Sequence, residues 1–207
     1  MTSLEQILRY KIVAILRGCT PERVPDIGAA LAEGGVKLLE ITLNSPGAFD
    51  LIRRISETMG DRLLVGAGTV LTPAEAEMAI DAGARFILSP SLDIETIGVT
   101  KELGAVSIPG AFTLTEILTA WRSGADIVKV FPASVGASYM RDIRGPLPQI
   151  RLMPTGGVNL GNIREFRAAG AVAYGIGSAL VPSGQETTTG ALDALKQRAI
   201  DYVKALV

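Results

Sequence analysis

The sequence predicts an α/β protein built as a (β/α)8 TIM barrel with a short N-terminal helix. Short apolar runs alternate with stretches of helical period from one end of the chain to the other. Four of the eight helical stretches end on a recurring Gly-Ala signal that precedes the next apolar run. Eight such units in 207 residues leave roughly 25 residues for each, which is short but possible for this barrel. We therefore expect residues 1–207 to form a single barrel domain.

The eight predicted strands are short and mostly apolar, as expected for parallel strands that are buried on both faces. Polar residues stand at their ends or interrupt them singly. The strands are Lys11–Arg17, Lys37–Leu43, Leu63–Thr69, Phe86–Ser89, Val106–Pro109, Asp126–Phe131, Arg151–Thr155 and Ala173–Gly177.

Helical stretches lie between these strands and carry start signals. Thr20, Ser45 and Thr72 each precede a proline and are predicted as N-caps, and Thr113 with Glu116 forms a capping-box pattern. Glycine follows most of the stretches, as at a left-handed helix terminus. The predicted helices are Pro21–Ala32, Ala48–Thr58, Pro73–Asp81, Ile94–Leu103, Leu114–Arg122, Gly136–Ile143, Leu160–Ala168 and a closing Gly190–Leu206.

A doubly wound open sheet is the alternative fold for such an alternating chain. That fold class commonly carries a Gly-x-Gly-x-x-Gly turn after the first strand. Here the corresponding stretch Ile15–Pro21 reads Ile-Leu-Arg-Gly-Cys-Thr-Pro. The barrel is therefore the preferred prediction.

Composition excludes several classes of function. Lys and Arg number 20 against 21 Asp and Glu, so there is no basic surplus for nucleic acid. With no histidine and only Cys19, neither a Ser-His-Asp site nor a histidine or thiolate metal site can be built. No apolar stretch is long enough to cross a membrane, and the lone cysteine suits a reducing compartment. We expect a cytoplasmic protein, and a small phosphorylated metabolite, which needs only one or two local donors, stays among its possible ligands.

Active sites of such barrels form at the carboxyl ends of the strands, so polar residues there are the candidates. Lys129 and Glu40 both interrupt apolar strands. Burial lowers a lysine pKa and produces the neutral amine that attacks carbonyls. A lysine that reaches solvent or forms an ion pair is the alternative for Lys129 alone. A buried acid and a buried base that converge on one barrel interior favour chemistry.

Glycine-rich loops follow the seventh and eighth predicted strands, at Pro154–Val158 and Gly175–Leu180. The loops in these positions commonly bind phosphate through backbone N–H groups. The alternative is that the glycines only turn the chain. Thr69 and Arg17, at the ends of two other strands, are candidates for holding a carboxylate. A helix cap for Thr69 and a surface ion pair for Arg17 remain the alternatives.

These segments resemble the 2-keto-3-deoxy-6-phosphogluconate aldolase family, which also contains 4-hydroxy-2-oxoglutarate aldolases. The resemblance runs from Lys11–Gly18 to Gly177–Leu180, and five internal motifs occur in the order of the family. Gly35–Leu43 is similar to the segment that bears the family's catalytic glutamate. The five ordered motifs are Val65–Val70, Ser89–Pro90, Ile108–Gly110, Val128–Pro132 and Pro154–Val158.

The resemblance implies a homotrimeric class I aldolase that needs no metal or cofactor, takes a small phosphorylated keto acid and yields pyruvate. It implies that Lys129 forms the Schiff base and that Glu40 moves protons. Substrate contacts are implied for the remaining positions: Arg17 and Thr69 for the pyruvate carboxylate, Gly156, Gly157, Gly177 and Ser178 for the phosphate, and Pro90 and Phe131 for the pocket wall.

Three positions point to different branches of this family. Many gluconate-type members carry arginine four residues after the glutamate, where this chain has Asn44. Asn44 and Arg17 resemble the 6-phosphogalactonate branch, whereas Thr155 resembles the gluconate branch, in which it orients the substrate. A phosphate-barrel isomerase or decarboxylase without covalent catalysis, and a non-catalytic sugar-phosphate sensor, are the more distant alternatives.

Overall fold

The computed structural model describes all 207 residues as nine strands that alternate with nine α-helices. Every strand pair is parallel. Six strands form one sheet in the order β5-β4-β3-β2-β1-β9, and three form a second in the order β6-β7-β8. The strands are β1 Ile12–Leu16, β2 Leu38–Thr42, β3 Leu64–Gly68, β4 Phe86–Leu88, β5 Val106–Ile108, β6 Gly110–Ala111, β7 Val128–Val130, β8 Leu152–Pro154 and β9 Tyr174–Ile176.

The helices cover the outside of the sheets, and α1 is the predicted short N-terminal helix. Two single 3₁₀ turns, Pro21–Arg23 and Ala133–Val135, add to them. The α-helices are α1 Ser3–Tyr10, α2 Val24–Glu33, α3 Ala48–Met59, α4 Pro73–Asp81, α5 Ile94–Glu102, α6 Leu114–Arg122, α7 Ala137–Arg144, α8 Ile163–Ala168 and α9 Thr189–Ala205. None of them combines the length and the hydropathy that a membrane span requires.

The two sheets lie next to each other at two places. Only Pro109 separates β5 from β6, and its carbonyl accepts a 2.9 Å hydrogen bond from the Lys129 N–H on β7. On the other side, Thr155 forms an isolated parallel bridge with Gly175 of β9. The parallel strands therefore curl around an interior, as in a TIM barrel. The predicted fifth strand, Val106–Pro109, corresponds to β5, and the short strand β6 after Pro109 was not predicted. Proline has no N–H to donate to a strand, so the two strands are separate.

Two apolar clusters fill the molecule. The larger one has 52 buried residues and lies mainly between the sheets and their helices. A smaller cluster of ten contains side chains from most of the strands, including Val13, Leu38 and Phe86. Ile7 of α1 is fully buried in this inner cluster, so α1 covers the amino ends of the strands.

Two of the four predicted helix starts are confirmed. Thr72 and Thr113 each form a capping box, with Glu75 and Glu116 respectively. The predictions for Thr20 and Ser45 were wrong. Thr20 precedes a 3₁₀ turn without a side-chain cap, and α3 begins only after Gly47 in a left-handed conformation. The Ser45 hydroxyl instead accepts a hydrogen bond from the N–H of Gly18.

Candidate active site

A pocket of about 400 Å³ opens where β1, β7, β8 and β9 end at their carboxyl edge. Its position matches the edge at which barrels of this kind place their chemistry. Both glycine-rich loops contribute to its wall. The lining residues are Ile15, Arg17, Phe131, Thr155, Gly156, Gly157, Val158, Asn159, Gly175, Gly177, Ser178, Ala179, Val181 and Ser183.

Most of the predicted binding residues therefore meet in one place. Arg17, Phe131, Thr155 and the glycine-loop residues line the pocket. Thr69 and Pro90 end neighbouring strands but lie outside its wall. Thr69 does not cap the following helix, because Thr72 occupies that position. Its backbone has a left-handed φ of 58°, a conformation that costs energy in a residue with a β-branched side chain.

Lys129 and Glu40 lie below this pocket and are almost fully buried, with 5% and 1% of their surface exposed. The Lys129 Nζ is 5.0 Å from the centre of the Phe131 ring, which connects it to the pocket wall. The chain's ion pairs within 4.0 Å all lie on the outer surface, and none joins Lys129 to Glu40. The two groups share an interior without neutralising each other directly.

Burial dominates the ionisation of both groups. Desolvation lowers the pKa of Lys129, the positive charge of Arg17 lowers it further, and the nearby Glu40 carboxylate opposes both. Desolvation raises the pKa of Glu40, against the smaller effects of Lys129 and Arg17. The site therefore holds an amine that deprotonates more easily than usual and a carboxyl group that binds a proton more strongly than usual.

The Glu40 carboxylate lies against Gly68 of β3, a residue that has no side chain. A Cβ atom on Gly68 of β3 would fall 1.8 Å from Glu40 Oε1, so any larger residue there would displace the carboxylate. Glu40 Oε2 is buried and has no hydrogen-bond partner within the chain. A buried polar atom in that state is costly, and it is typical of a group reserved for a ligand or a reaction.

Thr155, which follows β8 of the three-stranded sheet, has the same kind of environment. Its Oγ1 is buried without a partner, and a Cβ on Gly175 would lie 2.3 Å from it. Glycine at 175 thus leaves room for a hydroxyl that points into the pocket region. The Thr155 hydroxyl is free to bond to a molecule in the pocket.

The glycine loop after β8 is fixed by two asparagines. Gly156 and Gly157 both have positive φ values, 80° and 88°, which glycine adopts without strain. The Gly157 carbonyl accepts hydrogen bonds from Asn159 Nδ2 at 3.2 Å and from Asn162 Nδ2 at 2.8 Å. This carbonyl is therefore already engaged, and the loop has a defined shape before any anion binds.

The loop after β9 is tied to the last helix. Arg198 of α9 donates from Nε to the Leu180 carbonyl at 2.9 Å and from Nη2 to Gln185 Oε1 at 3.2 Å. Arg23 donates from Nη1 to the Gln185 carbonyl at 3.4 Å. Ser178 and Ser183 thus belong to a loop that is held from two sides.

The chain offers no ready metal site: no three His, Cys, Asp or Glu side chains are grouped closely enough to hold an ion. Cys19 is half-buried, and desolvation raises the pKa of its thiol. A thiol with a raised pKa is a poor nucleophile at neutral pH.

Comparison with models of known protein families identifies the family of this chain. Residues 4–197 match the model of the KDPG and KHG aldolase family. The chain belongs to the KDPG and KHG aldolase family. It is therefore an aldolase, and so a lyase. The names abbreviate 2-keto-3-deoxy-6-phosphogluconate and the hydroxy-oxoglutarate substrate.

Individual family members are similar over almost the whole chain. A probable 2-dehydro-3-deoxy-6-phosphogalactonate aldolase of Rhizobium meliloti is 39% identical over 94% of this chain and 90% of its own. A 2-dehydro-3-deoxy-phosphogluconate aldolase of Pseudomonas aeruginosa is also 39% identical, over 74% and 72% of the two chains. The relatives thus include both sugar-acid names.

Solved structures agree with the fold. A native KDPGal structure superposes with a TM-score of 0.88 at 34% identity, covering 94% of this chain and 93% of its own. The KDPG aldolase of Legionella pneumophila, with pyruvate captured as a covalent carbinolamine, gives 0.88 at 28% identity over 96% and 97%.

Sequence reasoning about this aldolase missed several pocket residues. Asn159 and Ser183 stand in polar loops, where nothing in the local pattern separates a binding residue from an ordinary turn. Ile15 falls within the first predicted strand, and Val181 lies in no predicted element. The second position after a double glycine could have drawn attention to Asn159, since such loops are commonly held by a following side-chain amide.

Proposed function

We propose that this aldolase cleaves 2-keto-3-deoxy-6-phosphogluconate to pyruvate and glyceraldehyde 3-phosphate through a Schiff base on Lys129. It would also accept 4-hydroxy-2-oxoglutarate. The observation that carries the proposal is Lys129 itself, a 95% buried amine (5% exposed) whose pKa is lowered by burial beside a pocket wall. The covalent carbinolamine of the Legionella relative supports it.

The covalent sequence begins with the neutral Lys129 amine. Its nitrogen attacks the C2 carbonyl of the keto acid and forms a carbinolamine, which loses water to give a protonated imine. Loss of the C4 hydroxyl proton then lets the C3–C4 bond break, and its electron pair moves into the imine to give an enamine. The aldehyde leaves, C3 takes up a proton, and water hydrolyses the imine to release pyruvate and the free amine.

Glu40 is the group proposed to move these protons. Its raised pKa makes it a stronger base than an exposed carboxylate, and Oε2 has no competing partner in the chain. Water in the pocket would carry the proton wherever Glu40 does not reach the substrate directly. Since the carboxyl group returns each proton it takes, the cycle ends with Glu40 in its starting state.

Binding contacts follow from the pocket wall. Arg17, which follows β1 and lines the pocket, is proposed to pair with the substrate carboxylate, and Thr69, which follows β3 two strands away, is proposed to assist it. The unpaired Thr155 hydroxyl would orient the substrate hydroxyls. The phosphate would accept hydrogen bonds from the two glycine loops, at Gly156, Gly157, Gly177 and Ser178. Phe131 of the pocket wall and Pro90, which follows β4 outside that wall, would pack against the substrate.

The galactonate isomer, which differs at C4, is a second candidate substrate. Asn44 occupies the position at which many gluconate-type members carry arginine, and the R. meliloti relative bears the galactonate name. Cleavage rates for the gluconate, galactonate and unphosphorylated hydroxy-oxoglutarate substrates distinguish these cases. A larger kcat/KM for the galactonate compound would replace the gluconate assignment.

The architecture proposed with this function is a closed (β/α)8 barrel over residues 1–207 as one domain, with β5 and β6 acting as one strand interrupted at Pro109. The Pro109 and Thr155 contacts between the sheets support closure. A homotrimer in the cytoplasm is proposed from the family resemblance. Sedimentation of the purified protein tests the oligomeric state.

Borohydride reduction in the presence of pyruvate tests the covalent step. The wild-type protein should acquire a stable adduct on Lys129, located by peptide mass spectrometry, and lose activity. Lys129→Arg keeps the charge and should form no adduct and no product. Lys196→Arg, an equally conservative change on the outer surface, should behave like the wild type. Turnover without an adduct on Lys129 would replace this mechanism with non-covalent acid–base catalysis.

A further inference from the structure

The loops that follow β1 and β2 are joined by a buried chain of hydrogen bonds. The Gly18 N–H donates to Ser45 Oγ at 2.9 Å, and Ser45 Oγ lies 3.0 Å from Thr42 Oγ1. Thr42 Oγ1 in turn donates to the Leu16 carbonyl at 3.2 Å. Thr42 is fully buried and Ser45 is 7% exposed, so water does not compete with these bonds.

The number of available protons fixes the direction of this chain. Each hydroxyl has one proton to donate. Thr42 uses its proton on the Leu16 carbonyl, so the contact between the two hydroxyls must be donated by Ser45. Both hydroxyls then donate once and accept once. A network in which every member is satisfied in low dielectric is cooperative and rigid.

Both ends of the network attach to the backbone beside Arg17. The Leu16 carbonyl belongs to the peptide group before Arg17, and the Gly18 N–H belongs to the peptide group after it. Holding both peptide planes fixes the backbone torsions of Arg17 itself. Gly18 has a φ of 62° and open space around its Cα, so this segment depends on the two hydroxyls to keep its shape.

Neither hydroxyl has a helix-capping function. Although Ser45 stands before a proline near a helix start, α3 begins at Ala48 after Gly47. Arg17 is exposed at the pocket wall, and it is the one arginine or lysine among the lining residues. An arginine side chain at a pocket mouth can adopt many rotamers, and binding a ligand restricts them at a cost in conformational entropy. A backbone that already points the side chain into the pocket lowers this cost.

We infer that Thr42 and Ser45 are positioning residues for Arg17: their hydroxyl chain directs the guanidinium into the pocket and thereby sets the affinity for the anionic keto acid. This inference rests on the proposed function, in which Arg17 binds the substrate carboxylate. Neither hydroxyl touches the reacting atoms, so the effect belongs to substrate binding and not to the chemical step.

Steady-state kinetics of Ser45→Ala with 2-keto-3-deoxy-6-phosphogluconate test the inference. This change removes both hydrogen bonds of the Ser45 hydroxyl and should raise KM about three- to tenfold while kcat stays within about twofold. Thr42→Val should act in the same way, whereas Thr42→Ser keeps the hydroxyl and should retain most of the wild-type KM. Ser56→Ala removes a hydroxyl that bonds the Gly83 carbonyl far from the pocket, and should leave KM unchanged.

A double-mutant cycle with Arg17→Ala decides between positioning and a general loss of structure. If Ser45 acts through Arg17, Ser45→Ala should raise KM no further once Arg17 is gone. An equal rise of KM in both backgrounds, a fall of kcat at constant KM, or an unchanged KM in Arg17→Ala would overturn the inference. Thermal unfolding confirms that each variant is folded.

The borohydride adduct separates this inference from the function on which it rests. Wild-type protein that forms the Lys129 adduct while the Ser45 effect is additive would overturn the positioning role alone. Wild-type protein that turns over without an adduct would overturn the proposed mechanism and leave the KM comparison to be judged on its own. If Ser45→Ala fails to fold, the Thr42→Val and Thr42→Ser pair supplies the same comparison.

Discussion

Two glutamate and lysine pairs in this protein behave in opposite ways. Glu33 and Lys196 join α2 to α9 on the outer surface through a 2.9 Å ion pair, with side chains 50% and 41% exposed. The pKa of Glu33 is lowered and that of Lys196 is raised, mainly by the hydrogen bond between them. In the interior, the pKa of Glu40 is raised and that of Lys129 is lowered.

The two pairs differ in whether desolvation or direct pairing has the larger effect on their pKa values. At the surface each charged group keeps its water and gains a partner, so the charged forms are favoured. In the interior both groups lose their water, and no direct ion pair compensates. The exposed pair, Glu33 and Lys196, is directly bonded and stays in its charged, unreactive forms. The buried pair, Glu40 and Lys129, has no direct bond, and burial favours the protonated carboxyl group and the neutral amine.

Replacing the two glutamates should give the largest contrast. Glu40→Gln keeps the shape and removes the proton acceptor, so kcat should fall about 10²- to 10⁴-fold. Glu33→Gln makes the same chemical change on the outer surface and should leave kcat unchanged. Cleavage of 2-keto-3-deoxy-6-phosphogluconate measures both. Equal kcat values for Glu40→Gln and the wild type would remove Glu40 from the mechanism.

The pH dependence of adduct formation should follow the charges around Lys129. The neutral amine is the reactive form, so the rate should fall about tenfold for each pH unit below the pKa of the coupled site. Because the Glu40 carboxylate raises the pKa of Lys129 and Arg17 lowers it, the acid limb should move to lower pH in Glu40→Gln and to higher pH in Arg17→Gln.

Stopped-flow or quenched borohydride trapping with pyruvate measures this limb. Glu33→Gln serves as the control and should leave it in place. An acid limb that stays at the same pH in both interior variants would mean that these charges do not act on Lys129.

The stability of the fold should show the smallest effect. Because the pKa of Glu40 is raised, the fold becomes less stable as the pH rises through that pKa. Because the pKa of Lys129 is lowered, the fold becomes less stable as the pH falls through that pKa, so both groups disfavour folding near neutral pH. The double variant Glu40→Gln with Lys129→Met should therefore be inactive and as stable as the wild type, or more stable by up to about 4 kcal/mol.

Urea unfolding at neutral pH measures the free energy of unfolding of that double variant. The corresponding double variant at Glu33 and Lys196 should gain nothing, since its groups already sit in water. A clear loss of stability on replacing Glu40 and Lys129 would mean that the interior pair stabilises the fold as a buried ion pair.

The sequence predicted the interior pair because each charge interrupts an apolar strand, a pattern that packing alone rarely produces. The nine helices were predicted for a similar reason, since their periodicity and capping boxes are local. The first residue of α3, Ala48, was predicted, but the cap assigned to Ser45 was wrong and the two-residue strand β6 was not predicted. A Ser-Pro pair has more than one structural use, and a strand of two residues leaves almost no pattern.

Pocket residues in loops were beyond sequence reasoning for another reason. Asn159 and Ser183 enter the wall because loops from distant parts of the chain converge at one edge. The bond between Ser45 and Gly18 spans 27 positions. Such contacts depend on the curvature of the sheet, which periodicity does not encode.

The burial of Ile7 has a practical consequence. Because α1 seals the amino ends of the strands with this side chain, the chain starts at the end of the molecule opposite the pocket. A tether attached at Met1 would hold the protein on a solid support with its substrate entrance facing the solution. Removing part of α1, by contrast, would delete Ile7 from the smaller apolar cluster and expose the amino ends of the strands to water.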